Sequence, residues 1–275
     1  MNYSDALQQV CKLLPSTPNP QFEAQLLLSR ALKISRSSLL AFPERVIDAE
    51  QQKLIMQLVK RRVAGEPMAY ILQEKEFWSL SLKVTADTLI PRPETELLVE
   101  LALEILPANV TQTIADLGTG SGAVALALAK ERPHWQLIAT DQSSAALKIA
   151  QENATHLGLF NVSFHQGSWC AALPRHGFNA IVSNPPYIAE KDVHLEGDLR
   201  FEPQNALVSG KEGLDALRII IEEAGNFLSA EGWLLLEHGH TQGEAVRTLM
   251  QSSGFKDIRT HQDLAGLDRV TKGKR

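Results

Sequence analysis

The chain has 275 residues, 44% hydrophobic and 21% charged, with a formal net charge of −5, an ordinary globular composition with room for one large domain and a small one. No apolar stretch approaches the roughly 18 residues that span a bilayer, and the start, with Asn2 and Asp5, lacks the basic-then-apolar pattern of an export signal, so a cytoplasmic protein with no membrane partner is expected. The charge is uneven, ten basic against seven acidic residues through Lys75 and 17 against 25 afterwards, which argues against the larger part as a binder of phosphate backbones.

The first seventy or so residues predict helices. Ser4 is placed to cap a helix with Leu7, Val10, Leu13 and Leu14 on one side, broken by Pro15 to Pro20. A second stripe runs through Phe22, Leu26, Leu27 and Leu32. A third, from about Asp48, holds Leu54, Ile55, Leu58, Val59 and Val63 and stops at Gly65-Glu66-Pro67. Lys60-Arg61-Arg62 is the candidate for a local basic patch, although such a run usually marks a solvated helix face. Residues 76 to 84 alternate like a strand and are expected to pair with residues around Leu89-Ile90 as a linking hairpin.

From about Glu94 helices alternate with short β-rich runs, the pattern of an α/β sheet with parallel strands. Seven candidate strands cover Thr113 to Leu117, Gln136 to Thr140, Val162 to His165, Phe178 to Ser183, Trp233 to Glu237, Phe255 to His261 and Arg269 to Thr271. The expected division is therefore a helical domain over 1–73 and an α/β domain, with its hairpin, over 74–275. Cys11 and Cys170 are the only cysteines. Far apart and without CxxC spacing, they fit packed thiols of a reduced protein and argue against structural zinc.

Asp116-Leu117-Gly118-Thr119-Gly120-Ser121-Gly122 follows the first of these strands and opens an apolar helix. Glycines let the chain turn tightly and bring its backbone close to a ligand. Asp141 ends the next strand, where a carboxylate accepts both ribose hydroxyls of an adenosine group. Gly118-x-Gly120-x-x-Ala123 also satisfies the dinucleotide fingerprint, so two cofactors compete. Asp116 favours S-adenosylmethionine: a pyrophosphate beside it meets a like charge, whereas a sulfonium and an ammonium meet an opposite one.

Asn184-Pro185-Pro186-Tyr187 directly follows the buried run 178–183. Each proline biases its predecessor toward extended geometry and lacks an N–H, so carbonyls point outward as acceptors. The Asn184 side-chain oxygen adds another acceptor and Tyr187 a ring on which a flat polar group stacks. This suits a planar amide or amine, against the plainer reading of a strand-ending turn. Trp169, after the third strand, falls at the edge where adenine belongs, or else is a core aromatic. His194, His238 and His240 suit surface or packing roles, and Cys170 lacks the His/Asp pattern of a nucleophile. Glu94 and Glu96 suit the start of the following helix. Glu202 and Glu237 read as site carboxylates or solvated ones.

Together these segments resemble the glutamine N5-methyltransferases of peptide chain release factors, the PrmC/HemK family. The resemblance covers nearly the whole chain in the family's order: helical domain, hairpin, Ile90-Pro91-Arg92-Pro93-Glu94-Thr95-Glu96, the Asp116 to Gly122 turn, Asn184 to Tyr187, and Phe201-Glu202-Pro203. It implies a seven-stranded Rossmann-like class I methyltransferase domain preceded by a small all-helical domain that docks the substrate. It also implies S-adenosylmethionine as cofactor and release factors as protein substrates, methylated on the glutamine of a Gly-Gly-Gln loop. By resemblance Gly118, Thr119, Gly120, Ser121, Gly122, Asp141 and Trp169 line the cofactor pocket, with Asn184 beside them, Arg92, Glu94 and Glu96 lie in a loop that closes near the cofactor, and Asn184, Pro185, Pro186 and Tyr187 hold the glutamine. One departure is Ser168, where such methyltransferases often carry an acidic residue against the adenine amine.

An amide nitrogen is a poor nucleophile because its lone pair is delocalised into the carbonyl. Acceptors on both N–H bonds, the Asn184 oxygen and the Pro185 carbonyl, orient it for in-line displacement while Tyr187 stacks on the amide plane. A nucleic-acid amino methyltransferase presents the same flat geometry and is the main rival. A non-catalytic binding factor with the same fold is the other.

Overall fold

The computed structural model describes residues 1–15, 17–195 and 197–275. The chain divides into two compact units. One comprises Met1–Glu74 with the short stretch of chain ending at Phe201, the other Lys75–Leu195 with Glu202–Arg275.

The helical unit contains α1 (Tyr3–Leu13), α2 (Pro20–Leu32), α3 (Arg36–Ala41), α4 (Ala49–Val63) and α5 (Met68–Leu72). Ser4 does not cap α1. Asn2 does, because its side chain accepts from Asp5 N while the Asp5 carboxylate accepts from the Asn2 amide, a reciprocal box that Ser4, already the second residue of the helix, is two positions too late to make. Asp48 and Gln51 repeat this device on α4. The core gathers Ala6, Val10, Leu14, Leu27, Leu28, Ile47, Ile55, Val59 and Ile71. Leu13, Phe22, Leu54 and Val63 lie outside it, exposed at the edges of their stripes. Phe22 instead carries the Arg36 guanidinium 4.4 Å from its ring centre. Lys60-Arg61-Arg62 forms no bare basic patch, since Arg61 pairs with Glu66 at 2.5 Å and Arg62 with Glu23 at 2.7 Å.

The larger unit opens with a hairpin, β1 (Lys75–Phe77) and β2 (Leu80–Leu82), paired Lys75 to Leu82. Both strands come from the segment expected to be one, and Leu89-Ile90 is not the partner. The two-residue turn Trp78-Ser79 has φ of 50° and 54°, the primed geometry that matches strand twist, built here without glycine. There follow α6 (Glu96–Ile105), β3 (Thr113–Leu117), α7 (Ala123–Glu131), β4 (Gln136–Asp141), α8 (Ser144–Leu157), β5 (Val162–Gln166), β6 (Phe178–Ser183), α9 (Asp215–Phe227), β7 (Leu228–Glu237), α10 (Gly243–Ser252), β8 (Lys256–Gln262) and β9 (Asp268–Lys274).

Among the described residues these strands form a seven-stranded sheet in the order β5-β4-β3-β6-β7-β9-β8. Five run parallel, as expected, and β9 runs antiparallel to both β7 and β8. The loop from β8 to β9 is too short for a crossover, so a hairpin is the available connection. Alternation splits the strands between two cores. Ile114, Leu137, Val182 and Leu235 pack toward α6, α7 and the hairpin. Ala115, Leu117, Ile138, Ile181, Leu234 and Leu236 pack toward α9 and α10. Strands covered on both faces read as continuous apolar runs, which is why they were legible.

Candidate active site

The C-terminal ends of β3, β4, β5 and β6 meet at one sheet edge, where the strand order reverses between β3 and β6. Open α/β sheets bind ligands at such a switch point. A cleft opens there, with about 630 Å³ of space counting its solvent-filled mouth, walled by Gly118, Gly120, Asp141, Trp169, Asn184 and Pro186, among others.

The glycine turn is left-handed at Gly118, Gly120 and Gly122, with φ of 70°, 57° and 87°. Its glycines differ in use. A Cβ on Gly118 would stand 3.2 Å from the Trp169 ring and one on Gly122 2.9 Å from Leu126, whereas one on Gly120 would meet nothing within 4 Å. Gly120 is thus the position where a ligand can reach bare backbone. Thr119, Ser121 and Gly122 turn inward as scaffold. Thr119 Oγ1 donates to Asp116 Oδ2 at 2.6 Å, and the Ala125 amide at the start of α7 donates to the same oxygen at 3.1 Å. Asp116 is 2% exposed, and burial pushes its pKa up to about 6 against those hydrogen bonds. Its carboxylate therefore braces the turn from behind and does not wall the cleft. Ser121 O accepts from Asn153 Nδ2 at 2.9 Å, and the same amide group donates to Lys83 O at 3.0 Å, tying the turn to the chain after β2.

Asp141 accepts the Gly120 amide on Oδ2 and the Ser143 amide on Oδ1, each at 2.9 Å. Burial raises its pKa, opposed by these bonds. Held from both sides, the carboxylate keeps a second lone pair on each oxygen for a pair of hydroxyls. Trp169 has φ of 42°, a conformation that a bulky residue holds only where its surroundings impose it. Ser168 beside it also faces the cleft. A glycine Cα open to the cleft, a fixed carboxylate and an indole wall fit the adenosyl and ribose parts of S-adenosylmethionine.

Ser183 Oγ donates to Leu117 O at 2.6 Å, locking the end of β6 to the end of β3. Asn184 and Pro186 then face the cleft, and Pro185 is buried behind them. Asn184 Nδ2 donates to Thr95 Oγ1 at 3.0 Å. Tyr187 packs against the α9 side of the core, and its hydroxyl donates to Glu237 Oε1 at 3.2 Å. Burial, with Glu237 beside it, raises the Tyr187 pKa.

Neither Glu202 nor Glu237 is a solvated carboxylate, being 4% and 1% exposed. Glu202 accepts the Ile90 amide at 3.0 Å and Arg92 at 2.5 Å, clasping two loops that border the cleft. Burial pushes Glu237 up to about 7. Glu96 accepts the Trp78 amide at 2.8 Å, and Glu94 is exposed. His238 is buried between Gly239 O and Thr271, and burial lowers its pKa, a packing role. His240 is exposed, and the His194 side chain lies outside the described residues. Burial pushes the Cys170 thiol up to about 12. Among the described residues no cluster of metal-ligating side chains occurs.

Sequence reasoning did not select Thr95, Asn153 or Gln242, whose roles arise from partners distant in sequence. It also passed over Asp87, Thr88, Leu89, Asn205 and Ala206, which wall the cleft. The neighbouring segments 90–96 and 201–203 were the nearest signal for them.

Two family models match the chain, the PrmC N-terminal domain over residues 5–72 and the methyltransferase small domain over 95–260. The release factor glutamine methyltransferase of Coxiella burnetii is 54% identical over 274 residues, covering 100% of this chain and 96% of that protein. The chain belongs to the release factor glutamine methyltransferases. The Vibrio cholerae member of this family is 50% identical over 93% of this chain and 90% of its own length. Members are enzymes that take the methyl group from S-adenosylmethionine. A methyltransferase from Pyrococcus furiosus, at 15% identity and a TM-score of 0.55, covers 78% of this chain and 96% of its own, a likeness in fold. No helix among the described residues is long and apolar enough to cross a membrane.

Proposed function

We propose that the enzyme methylates the side-chain amide nitrogen, N5, of the glutamine in the Gly-Gly-Gln loop of peptide chain release factors. S-adenosylmethionine supplies an electrophilic methyl group when bound. Gly120, Asp141 and Trp169 hold it, and Asn184 with Pro185 takes the two amide protons of the glutamine through the Asn184 side-chain oxygen and the Pro185 carbonyl. Hydrogen-bonding both N–H groups fixes the nitrogen toward the methyl group, and such near-attack placement supplies roughly 7–11 kcal/mol of a barrier. As the nitrogen gains positive charge the same acceptors stabilise it. The methylated nitrogen is acidic enough to lose its proton to water, so no strong base is needed.

The observation that carries this reading is the Asn184 amide. One N–H of that amide goes to Thr95, which orients the group and leaves its oxygen as the acceptor for a substrate. The neutralised arginines of α4 favour a protein over a nucleic-acid substrate. In this reading residues 1–73 dock the release factor, 74–275 carry out the transfer, and the enzyme works in the cytoplasm without nucleic acid or membrane. The test is transfer of labelled methyl to a purified release factor beside one whose Gly-Gly-Gln glutamine is replaced. Label is expected on the first alone; equal labelling of both rejects the acceptor.

A further inference from the structure

Two walls of the cleft are separate stretches of chain, the glycine turn and the segment that leaves β2, and one buried side chain joins them. Asn153 of α8 is 2% exposed. Its Oδ1 accepts the Lys83 amide at 2.7 Å, and its Nδ2 donates to Lys83 O at 3.0 Å and to Ser121 O at 2.9 Å. A backbone N–H faces the oxygen and two carbonyls face the NH2, so the group fits one way round only. The Ala125 amide, four residues past Ser121, is taken by Asp116, which leaves the Ser121 carbonyl to Asn153. The turn already rests on this helix, since a Cβ on Gly122 would stand 3.2 Å from the Ala150 Cβ, and Ala150 and Asn153 share a helix face.

On the other side, Lys83 is bonded through both its N–H and its C=O, as a residue is by an opposite strand. From this pin the chain makes a tight turn in which Thr88 N donates to Thr85 O at 3.0 Å and Asp87 N to Thr85 Oγ1 at 3.2 Å. It lays Asp87, Thr88 and Leu89 along the cleft and is caught again where the Ile90 amide meets Glu202. We infer that Asn153 is a positioning residue for the methyl donor: it sets the separation of the glycine turn from the 87–89 wall, and with it the fit of the cleft to S-adenosylmethionine. This rests on the reading that Gly120 and Asp141 hold the donor. The second pin does not pass through Asn153, so the acceptor side at Asn184 stays in place when the first is lost. Lys83 Nζ also pairs with Glu152 at 2.7 Å, an exposed contact of small effect.

The test measures affinity for S-adenosylmethionine by calorimetry, single-turnover transfer from the donor-saturated enzyme to a purified release factor, and hydrogen exchange over 83–89. The proteins are the parent, Asn153→Asp, Asn153→Ala, Glu152→Gln, Leu137→Ala and Asp141→Asn. Asn153→Asp keeps the size of the side chain and the acceptor for the Lys83 amide, but turns a second oxygen toward two carbonyls. It and Asn153→Ala are expected to weaken donor binding on the order of ten- to a hundredfold, since buried carbonyls lose their hydrogen-bond donor. Transfer from the saturated enzyme should stay within about threefold. Exchange over 83–89 should quicken in donor-free Asn153→Ala. Glu152→Gln breaks only the exposed pair, and Leu137→Ala opens a cavity at the end of β4 away from Asp141. Both should bind donor within about twofold of the parent, although the second melts earlier.

Parent affinity in Asn153→Asp, beside a weakened Asp141→Asn, overturns the positioning role alone, because filling the space then suffices. An equal loss of affinity in Leu137→Ala also overturns it, since lost stability accounts for the effect. Asp141→Asn at parent affinity removes the underlying reading as well. Should neither Asn153 variant fold, the parent decides: a bridge that favours donor binding must itself be strengthened by the donor, so unchanged exchange at the Lys83 amide on saturation with S-adenosylmethionine overturns the inference.

Discussion

A Cβ on Gly213 would lie 2.2 Å from the carbonyl oxygen of Tyr187, so bare backbone closes directly behind the Asn184–Tyr187 turn. Gly213 is left-handed, with φ of 74°, and Gln242 Nε2 sits on the Tyr187 carbonyl at 3.0 Å. The turn is therefore braced from behind at its last residue. Gly213→Ala should cost about 1–3 kcal/mol from backbone strain and, by displacing the turn, slow transfer by roughly a hundredfold. Thermal melts with single-turnover rates check both, and parent behaviour in each refutes the brace.

Asp141 is held by two backbone amides before any ligand arrives, so its acceptors are preorganised. Asp141→Asn removes the charge from bonds worth about 1.5–3 kcal/mol, and donor affinity should fall by about tenfold or more. Calorimetric titration with S-adenosylmethionine measures this directly. Unchanged affinity would place the ribose elsewhere.

Glu202 is buried while Arg92 is about a third exposed. Glu202→Ala leaves the Ile90 amide without its acceptor and Arg92 without its partner. Removing one member of a buried pair costs about 3 kcal/mol or more, which predicts a clear fall in melting temperature. Arg92→Ala should cost less only if water reaches Glu202, and the ratio of the two losses reports how dry the clasp is.

Asp116 and Glu237 are raised from 3.8 to about 6 and from 4.5 to about 7. An acid with a raised folded-state pKa contributes stability that is full below its unfolded value and is lost as pH rises through the folded one. From these two groups stability should therefore decline between about pH 4 and pH 7. Glu237→Gln should gain on the parent across that window by a few kcal/mol, on the order of the shift itself. Denaturant melts at several pH values test this, and a pH-independent difference between the two proteins contradicts it.

Legibility followed the range of the forces involved. Gly118, Gly120 and Gly122 announce a turn because the steric requirement is local, and Asn184-Pro185-Pro186-Tyr187 announces a stiff strand end for the same reason. The hairpin was misread because Trp78 and Ser79 take left-handed conformations with no glycine or asparagine to signal them. Asp116 was assigned to the ligand from its charge and place in the chain. The structure instead commits it to Thr119 and Ala125, a choice that depends on side-chain direction, to which spacing is blind.

By itself the sequence determined the alternation of helix and strand, the turn that opens α7 and the chemistry offered after β6, since periodicity and backbone sterics act between near neighbours. Only the tertiary structure decided how those groups are aimed. Asn184 meets Thr95 across 89 positions, and Tyr187 meets Glu237 across 50. Contacts at such separations arise from the order in which strands enter the sheet, because side chains far apart in the chain become neighbours only when burial brings their strand ends to one edge.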